Sequence, residues 1–139
     1  MIIKSQNIMN YPILVTAAII ENNGKYLITQ RPDDGRHNAN RWEFPGGKVN
    51  FGEEPRYCLE REILEELDIK IDTGDVFECS SQMYDQTKHV VLLGFYCRYV
   101  SGDIKKIDIK SYAWITPNEM GNYDICEADL PFIKKLKKM

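Results

Sequence analysis

Residues 47–69 read GKVNFGEEPRYCLEREILEELDI, and this stretch decides how the chain folds. Pro55 suits the first turn of a helix, where a missing backbone N–H is no loss. Leu59, Ile63 and Leu67 then recur every four residues and give one apolar stripe. The stretch therefore predicts a helix over residues 55–67 that begins after a glycine-containing loop.

The acidic residues of this helix are unusually close together. Glu62, Glu65 and Glu66 stand at positions i, i+3 and i+4, so they share one face beside the apolar stripe. Like charges at these spacings cost an isolated helix about 0.2–0.5 kcal/mol per pair. A solvated acidic face is the ordinary explanation, but these acids flank the buried stripe and do not lie opposite it. A hard divalent cation such as Mg²⁺, which prefers oxygen ligands, would neutralise them.

Together with the preceding loop, the helix follows a longer spaced pattern. Gly47 is followed after five residues by Glu53, and after seven more by the run from Arg61 to Ile69. This resembles the Nudix box of the Nudix hydrolases, Gly-x5-Glu-x7-Arg-Glu-U-x-Glu-Glu-x-Gly-U, where U is a bulky aliphatic residue. Every defined position matches except the final glycine, which is Asp68 here. In the box that glycine ends the helix in a left-handed conformation, which Asp tolerates better than most residues.

The resemblance extends to the MutT branch of the family and covers about residues 15–138. It is carried outside the box by three segments, Ile28–Arg31, His37–Lys48 and Ala128–Pro131. It implies an α/β class protein with the Nudix fold, a mixed β-sheet sandwiched between α-helices, in which the box forms a loop–helix–loop.

The local patterns around the box agree with a mixed α/β sandwich. Strands are predicted where β-branched and apolar residues cluster, and turns where Asn, Gly and Pro do. The predicted strands are Ile13–Ile20, Lys25–Thr29, Trp42–Phe44, Val76–Tyr84, His89–Val100 and Tyr112–Ile115. Pro45-Gly46-Gly47 is expected to stop a strand, Thr116–Glu119 to start a helix, and Leu130–Lys138 to form a closing helix.

Composition narrows the class of protein. The chain has 139 residues and a net charge of −3, which fits one domain over 1–139 and disfavours a nucleic-acid-binding surface. Its apolar runs are too short for a bilayer, and its N-terminus lacks a signal-peptide core, so we expect a cytoplasmic protein that does not enter membranes. The four cysteines are expected to be free thiols. Met1–Tyr11 precedes the family-like region and is either a disordered extension or an added edge strand.

The resemblance implies roles for the acidic residues of the box. Glu62, Glu65 and Glu66 would hold Mg²⁺ (or Mn²⁺), helped by the Gly47 carbonyl, with Glu53 as an outer or additional ligand. Arg61 would orient these carboxylates by charge-assisted hydrogen bonds. A further carboxylate in the MutT branch comes from a late loop, where this chain has Asp108. The shorter Asp side chain leaves a plain loop carboxylate as an equal alternative.

Substrate contacts are expected from residues on both sides of the box. Arg31 and Lys88 match basic positions of the family and are candidates for contacting phosphates, and His37 is a candidate for the same loop contact, with surface charge as the alternative for each. Phe44 matches a position near the base, with core packing as its alternative. Asp129 stands where the oxidised-guanine enzymes carry a base-reading Asn. An ionised Asp only accepts hydrogen bonds, which suits the amino group of cytosine; the alternative is that Asp129 caps the closing helix.

The resemblance therefore implies a Mg²⁺-dependent nucleoside triphosphate pyrophosphohydrolase that releases nucleoside monophosphate and pyrophosphate. Asp129 favours cytidine-type substrates: CTP, dCTP or 5-methyl-dCTP. The alternatives are an 8-oxo-dGTP pyrophosphohydrolase, then a hydrolase of ADP-ribose or nucleotide sugars, then a catalytically silent binding module. A silent module would be expected to lose box carboxylates, and none is lost here. The sequence leaves monomer and homodimer equally open.

Overall fold

A computed structural model of the chain describes residues 10–139. Within them, seven strands and two α-helices follow one another along the chain. They are β1 (Pro12–Asn22), β2 (Lys25–Gln30), β3 (Trp42–Glu43), β4 (Gly46–Lys48), α1 (Pro55–Leu67), β5 (Lys70–Tyr84), β6 (Lys88–Ser101), β7 (Ser111–Ile115) and α2 (Leu130–Lys137). Two 3₁₀ turns, Pro117–Asn122 and Glu127–Asp129, lie between β7 and α2.

Strand β1 is the centre of the fold because it belongs to two sheets that diverge along its length. It pairs in parallel with β6, from Pro12 opposite His89 to Ile20 opposite Cys97, and antiparallel with β4. After Ile20 it turns into a hairpin with β2, which also pairs with β3 and β7. Strand β5 lies beyond β6. The mixed sheet expected from the sequence is therefore confirmed.

The two faces of this sheet are covered by different helices. Leu59, Ile63 and Leu67 of α1 are fully buried against a cluster that includes Ala18, Ile20, Leu27 and Phe95. Helix α2 buries Phe132, Ile133 and Leu136 against the opposite face, where Ile19 and Ile28 point. Side chains alternate between faces along a strand, so Ile19 and Ile20 enter different clusters. The predicted sandwich is confirmed.

The ends of α1 are fixed by the residues that flank it. The Glu54 carboxylate accepts from the backbone N–H groups of Arg56 and Tyr57 and caps the N-terminus. At the other end Asp68 adopts the left-handed conformation, with φ of 57° and ψ of 35°, and its N–H donates to the Leu64 carbonyl. The prediction that Asp68 can end the helix in place of glycine is confirmed.

Three element predictions were wrong at their boundaries. The strand at Trp42 ends at Glu43, before Pro45 as predicted, but Gly46 and Gly47 form a further strand, β4, because pairing with β1 supplies the order that glycine lacks. Strand β5 begins at Lys70 and not at Val76, and its ladder with β6 is irregular around residues 73–78. The predicted helix start at Thr116 is a 3₁₀ turn with a Thr116–Glu119 capping box.

Two further predictions concern features outside the core. All four cysteines are free thiols, as expected. Between residues 10 and 139, no helix is both long and apolar enough to cross a membrane. The expectations about the N-terminal extension fall mostly on residues 1–9, which lie outside the described part of the chain; Asn10 and Tyr11 precede β1 and are exposed.

Candidate active site

Arg61 is at the centre of the carboxylate face of α1. Its guanidinium donates to both oxygens of Glu53, at 2.6 and 2.9 Å, to Glu62 at 3.0 Å and to Glu65 at 3.2 Å. These hydrogen bonds raise the pKa of Arg61 and hold it charged. One cation thus orients three carboxylates that would otherwise repel one another.

Both carboxylate oxygens of Glu53 accept hydrogen bonds in this network. Besides the two bonds from Arg61, its carboxylate accepts from the Asn50 backbone N–H at 3.1 Å. Hydrogen bonds from Arg61, followed by the bond from Asn50, lower the pKa of Glu53 to about 2. Glu53 therefore joins the loop before α1 to the helix, and its oxygens have protein partners already.

Glu66 lies in a different environment on the same helix face. Burial, then the charges of Glu62, Glu43 and Asp108, raise the pKa of Glu66 to about 9. A half-buried carboxyl surrounded by other carboxylates keeps its proton at neutral pH when no cation balances the charge. Glu62, Glu66 and Asp108, the carboxylate cluster, are therefore near enough to influence one another's charge, and carboxylate oxygens are the ligands that Mg²⁺ or Mn²⁺ prefers. Among residues 10–139, the tighter group of possible ligand atoms, within 4.8 Å of one another, is Glu43, Cys126 and Asp129.

Asp108 reaches the carboxylate cluster because its loop is bound to the end of α1. The backbone N–H of Lys105 donates to the Leu67 carbonyl at 2.9 Å. The N–H groups of Ile107 and Asp108 both donate to the Glu66 carbonyl, at 3.2 and 3.4 Å. These carbonyls belong to the last turn of the helix, which has no intrahelical partners for them. The loop between β6 and β7 thereby brings the Asp108 carboxylate close enough to raise the pKa of Glu66.

Gly47 allows α1 to approach the sheet closely, but its carbonyl is not free. A Cβ atom at this position would overlap the carboxyl group of Glu62. The Gly47 oxygen accepts from the Thr16 hydroxyl at 3.0 Å and lies 3.7 Å from the Cys58 sulfur. The Gly47 carbonyl therefore already has a hydrogen-bond donor in the interior, and its role toward a cation stays a prediction.

The carbonyl of the neighbouring Gly46 points in the opposite direction to that of Gly47. Ala18 N–H donates to the Pro45 carbonyl at 2.7 Å, so the carbonyls of Pro45 and Gly47 turn toward β1. Successive carbonyls of a strand point to opposite sides, and that of Gly46 turns away from β1. Cys58 Sγ of α1 lies 3.4 Å from the Lys48 carbonyl oxygen and 3.7 Å from that of Gly47, so α1 packs against β4.

A cavity of about 500 Å³ extends from the carboxylate cluster to the start of α2. Glu62, Glu66 and the two glycines border one end, and Asp129 and Phe44 border the other. Arg31 and Lys88 also line it, but the Arg31 guanidinium lies 3.3 Å from each oxygen of Glu43. The structure thus brings Arg31, Phe44, Lys88 and Asp129 to one cavity.

Asp129 is buried at the far end of this cavity, with only 4% of its surface exposed. Its carboxylate accepts from the Phe44 backbone N–H at 2.9 Å and makes no capping bond to α2, so the helix-cap alternative is wrong. Ligand atoms of Asp129, Glu43 and Cys126 lie within 4.8 Å of one another. Burial and the charge of Glu43 raise the pKa of Asp129, which is therefore not the permanently ionised acceptor that we expected.

Comparison with known proteins is consistent with this geometry. The model of the NUDIX domain family matches residues 11–136. The chain is a Nudix hydrolase. It is 34% identical over 122 residues to the CTP pyrophosphohydrolase of Escherichia coli K12, covering 88% of this chain and 89% of that protein. It is 30% identical over 126 residues to the 8-oxo-dGTP diphosphatase of the same organism, covering 90% and 96%.

A solved structure shows the same fold. The crystal structure of the MutT protein from Methanosarcina mazei Go1 superposes with a TM-score of 0.83 at 27% identity, covering 93% of this chain and 95% of that one. The Nudix fold and the resemblance to MutT-like enzymes are therefore confirmed. As a Nudix hydrolase, the chain belongs to a family of enzymes that act on phosphoric anhydride bonds.

The site of this Nudix hydrolase also differs from the expectation in two ways. His37 does not line the cavity; it is exposed, and its ring packs edge-on against Tyr84 at 4.8 Å between centroids. Sequence reasoning missed Glu43, which contributes to the raised pKa values of both Glu66 and Asp129. The one signal for Glu43 was a charged residue between Trp42 and Phe44 in a short apolar strand.

Sequence reasoning also missed the residue that fastens the loop between β2 and β3. Arg41 donates to Asn38 at 3.0 Å, to Glu127 at 2.7 Å and to the Ile125 carbonyl at 2.6 Å. Asn38 in turn lines the cavity. Arg41 therefore ties one wall of the cavity to the segment that leads into Asp129.

Proposed function

We propose that this enzyme is a Mg²⁺- or Mn²⁺-dependent nucleoside triphosphate pyrophosphohydrolase that releases a nucleoside monophosphate and pyrophosphate, with cytidine-type substrates favoured. The observation that carries the proposal is the cavity itself. It joins the carboxylate cluster of α1 to the buried Asp129, so the phosphates and the base of one nucleotide can bind at its opposite ends. The similarity to a CTP pyrophosphohydrolase supports the choice of base.

Glu62, Glu65 and Glu66 are the proposed metal ligands, with Asp108 as an additional carboxylate. The Gly46 carbonyl, which the ladder turns away from β1, is preferred to that of Gly47 in this proposal. A divalent cation held there would neutralise phosphate charge and lower the pKa of a bound water. Glu53 and Arg61 act as positioning residues because their side chains are hydrogen-bonded to each other.

Proton transfer is assigned to two carboxylates of α1. With a cation balancing the cluster, Glu66 would be ionised and could accept the proton of the attacking water; Glu65, which is exposed and accepts from Arg61, is the other candidate. Attack on the β-phosphorus breaks its bond to the oxygen bridging to the α-phosphorus, so nucleoside monophosphate leaves and pyrophosphate forms. Lys88, exposed at the cavity, is placed to offset negative charge on the phosphates.

The base is assigned to the end of the cavity where Glu43 and Asp129 meet. Two carboxyl groups this close share a proton, and burial raises the pKa of both although Arg31 lies beside Glu43. One carboxyl of the pair then donates a hydrogen bond and the other accepts. Cytosine offers a matching pair, an amino group that donates and a ring nitrogen that accepts.

A second candidate, 8-oxo-dGTP, is favoured by the raised pKa of Asp129. A protonated Asp129 both donates and accepts, as the Asn of the oxidised-guanine enzymes does. The similarity to an 8-oxo-dGTP diphosphatase points the same way. Measuring kcat/KM for CTP, dCTP, 5-methyl-dCTP, dGTP, 8-oxo-dGTP, ATP and ADP-ribose with Mg²⁺ separates the candidates. Preference for cytidine nucleotides with pyrophosphate release supports the proposal, and preference for 8-oxo-dGTP replaces it with the second candidate.

A further inference from the structure

Three side chains with metal-ligating atoms meet at the base end of the active-site cavity. Ligand atoms of Glu43, Cys126 and Asp129 all lie within 4.8 Å of one another. Glu43 and Asp129 also line the cavity, which gives a cation a path to the group from solvent. The thiol of Cys126 has no part in the proposed reaction, and the Mg²⁺ of that reaction is assigned to the other end of the cavity.

The backbone positions these three residues without any ion. The Cys126 N–H donates to the Trp42 carbonyl at 2.9 Å. The Phe44 N–H donates to the Asp129 carboxylate, also at 2.9 Å. Glu43 stands between Trp42 and Phe44, so these two bonds anchor the facing segment on either side of it. The Asp129 N–H donates to the Cys126 carbonyl at 3.0 Å, in a 3₁₀ turn, which places side chains three positions apart above one another.

The Cys126 thiol is a buried polar group without a partner. Its residue is 3% exposed, and within residues 10–139 its Sγ makes no hydrogen bond. Two other thiols differ: Cys58 Sγ lies 3.6 Å from a threonine hydroxyl, and Cys97 Sγ donates to a backbone carbonyl at 3.5 Å. Burial, then the charges of Glu43 and Asp129, raise the pKa of Cys126. The sulfur therefore lies beside two carboxyl groups and lacks a positively charged or hydrogen-bonding partner of its own.

We propose that Glu43, Cys126 and Asp129 bind one thiophilic divalent cation of the Zn²⁺ type. Zn²⁺ accepts thiolate and carboxylate ligands together, whereas Mg²⁺ prefers oxygen alone, so the sulfur selects the ion. Zinc bonds of about 2.0–2.3 Å place tetrahedral ligand atoms about 3.3–3.7 Å apart, so these ligands must approach one another by at most about 1.5 Å. The fourth position faces the cavity and is left for water.

The charges at this site balance when the cation is bound. On binding, the cation displaces the thiol proton, and the proton that the two carboxyl groups share, to solvent. One thiolate and two carboxylates then face the divalent cation and the guanidinium of Arg31, which lies 3.3 Å from Glu43. Three negative charges therefore meet three positive ones, and no buried charge is left without a counterpart.

Under the proposed function, Glu43 and Asp129 also bind the base, so the cation and the base exclude each other at this end of the cavity. Zn²⁺ should therefore compete with nucleotide even when Mg²⁺ saturates the carboxylate cluster of α1. This consequence rests on the proposed function, whereas the metal site itself does not.

Cd²⁺ is a spectroscopic probe for this site, because a Cd²⁺–thiolate bond absorbs by charge transfer in the ultraviolet and a Cd²⁺–carboxylate bond does not. The variant Cys79→Ser removes the exposed thiol, and Mg²⁺ in excess occupies the carboxylate cluster. We expect a band that saturates at one Cd²⁺ per chain and disappears when Zn²⁺ is added. CMP, which carries the base without a metal-chelating triphosphate, should reduce the band at subsaturating Cd²⁺.

Further variants in this background locate the site. Cys126→Ser should lose the band, and Asp129→Asn should weaken Cd²⁺ binding about tenfold or more. Cys97→Ser removes a half-buried thiol outside the group and is the matched control, which should keep both the band and the affinity. Circular dichroism checks the fold of each variant, and Asp129→Asn decides alone if Cys126→Ser does not fold.

The proposal is overturned if no band forms, if a folded Cys126→Ser keeps it, if Asp129→Asn binds Cd²⁺ as tightly as its parent, or if Cys58→Ser loses the band instead. A saturable band that depends on Cys126 but resists CMP supports the metal site and removes the base from this end of the cavity, so the two proposals fail separately.

Discussion

Binding of a divalent cation to this enzyme should depend steeply on pH because of Glu66. In the metal-free protein the pKa of Glu66 is raised to about 9 from an ordinary value of 4.5 by burial and by Glu62, Glu43 and Asp108. Below about pH 9, Glu66 in the folded protein holds a proton that a binding cation must displace. Above about pH 5, a carboxyl group with an ordinary pKa would already have lost that proton. Apparent metal affinity should therefore rise about tenfold per pH unit in this window, or about a hundredfold from pH 6 to pH 8.

The assay is a titration with Mn²⁺, in which free Mn²⁺ is read by electron paramagnetic resonance at several pH values. A parallel pH-stat measurement should record release of about one proton per bound ion near pH 7. Glu66→Gln should bind Mn²⁺ more weakly and with a much smaller pH dependence. Glu60→Gln is the matched control, since Glu60 lies on the same helix but accepts from the Thr73 backbone N–H and not from the cluster. A pH-independent affinity in the parent, or an equal slope in Glu66→Gln, would refute the reasoning.

Four other predictions follow from the same contacts. Glu65→Gln and Glu66→Gln should each lower kcat by orders of magnitude while circular dichroism stays unchanged; near-full activity in both would disprove the assignment of the base. In chelator, the unfolding free energy of the parent should fall by up to about 1.4 kcal/mol per pH unit between about pH 5 and 9. In this range the unfolded chain has lost the Glu66 proton while the folded protein still holds it. Urea titrations of Glu66→Gln should not show this dependence on pH. Asp129→Asn should change the ratio of kcat/KM for CTP and 8-oxo-dGTP, and an unchanged ratio would remove Asp129 from base recognition. Asp68→Ala should cost about 1 kcal/mol in urea unfolding, whereas Asp68→Gly should cost less, because the position has φ of 57°; equal losses would contradict the conformational argument.

The parts of the fold that the sequence predicts well are those set by local interactions. The stripe of Leu59, Ile63 and Leu67, the start at Pro55 and the end at Asp68 depend on residues within one or two helical turns. The runs of β-branched residues in β1 and β6 likewise predict strands from local sequence alone. These features identify the helix, its ends and the mixed sheet before any tertiary contact is known.

The remaining features depend on distant contacts. Gly46 and Gly47 have no strand propensity, and only pairing with β1 makes them a strand. The same pairing decides which carbonyl points away from β1, so spacing alone could not separate Gly46 from Gly47. Glu43 and Asp129 are 86 positions apart in sequence numbering, and only the folded chain brings their carboxyl groups together and perturbs them.

Hydrolysis of CTP in ¹⁸O-labelled water reports both the products and the phosphorus that water attacks. Turnover should need Mg²⁺ and stop in chelator, with CMP and pyrophosphate as the products. The label should appear in pyrophosphate and not in CMP, since water attacks the β-phosphorus. Label in CMP, release of CDP and phosphate, or full turnover in chelator would contradict the proposed reaction.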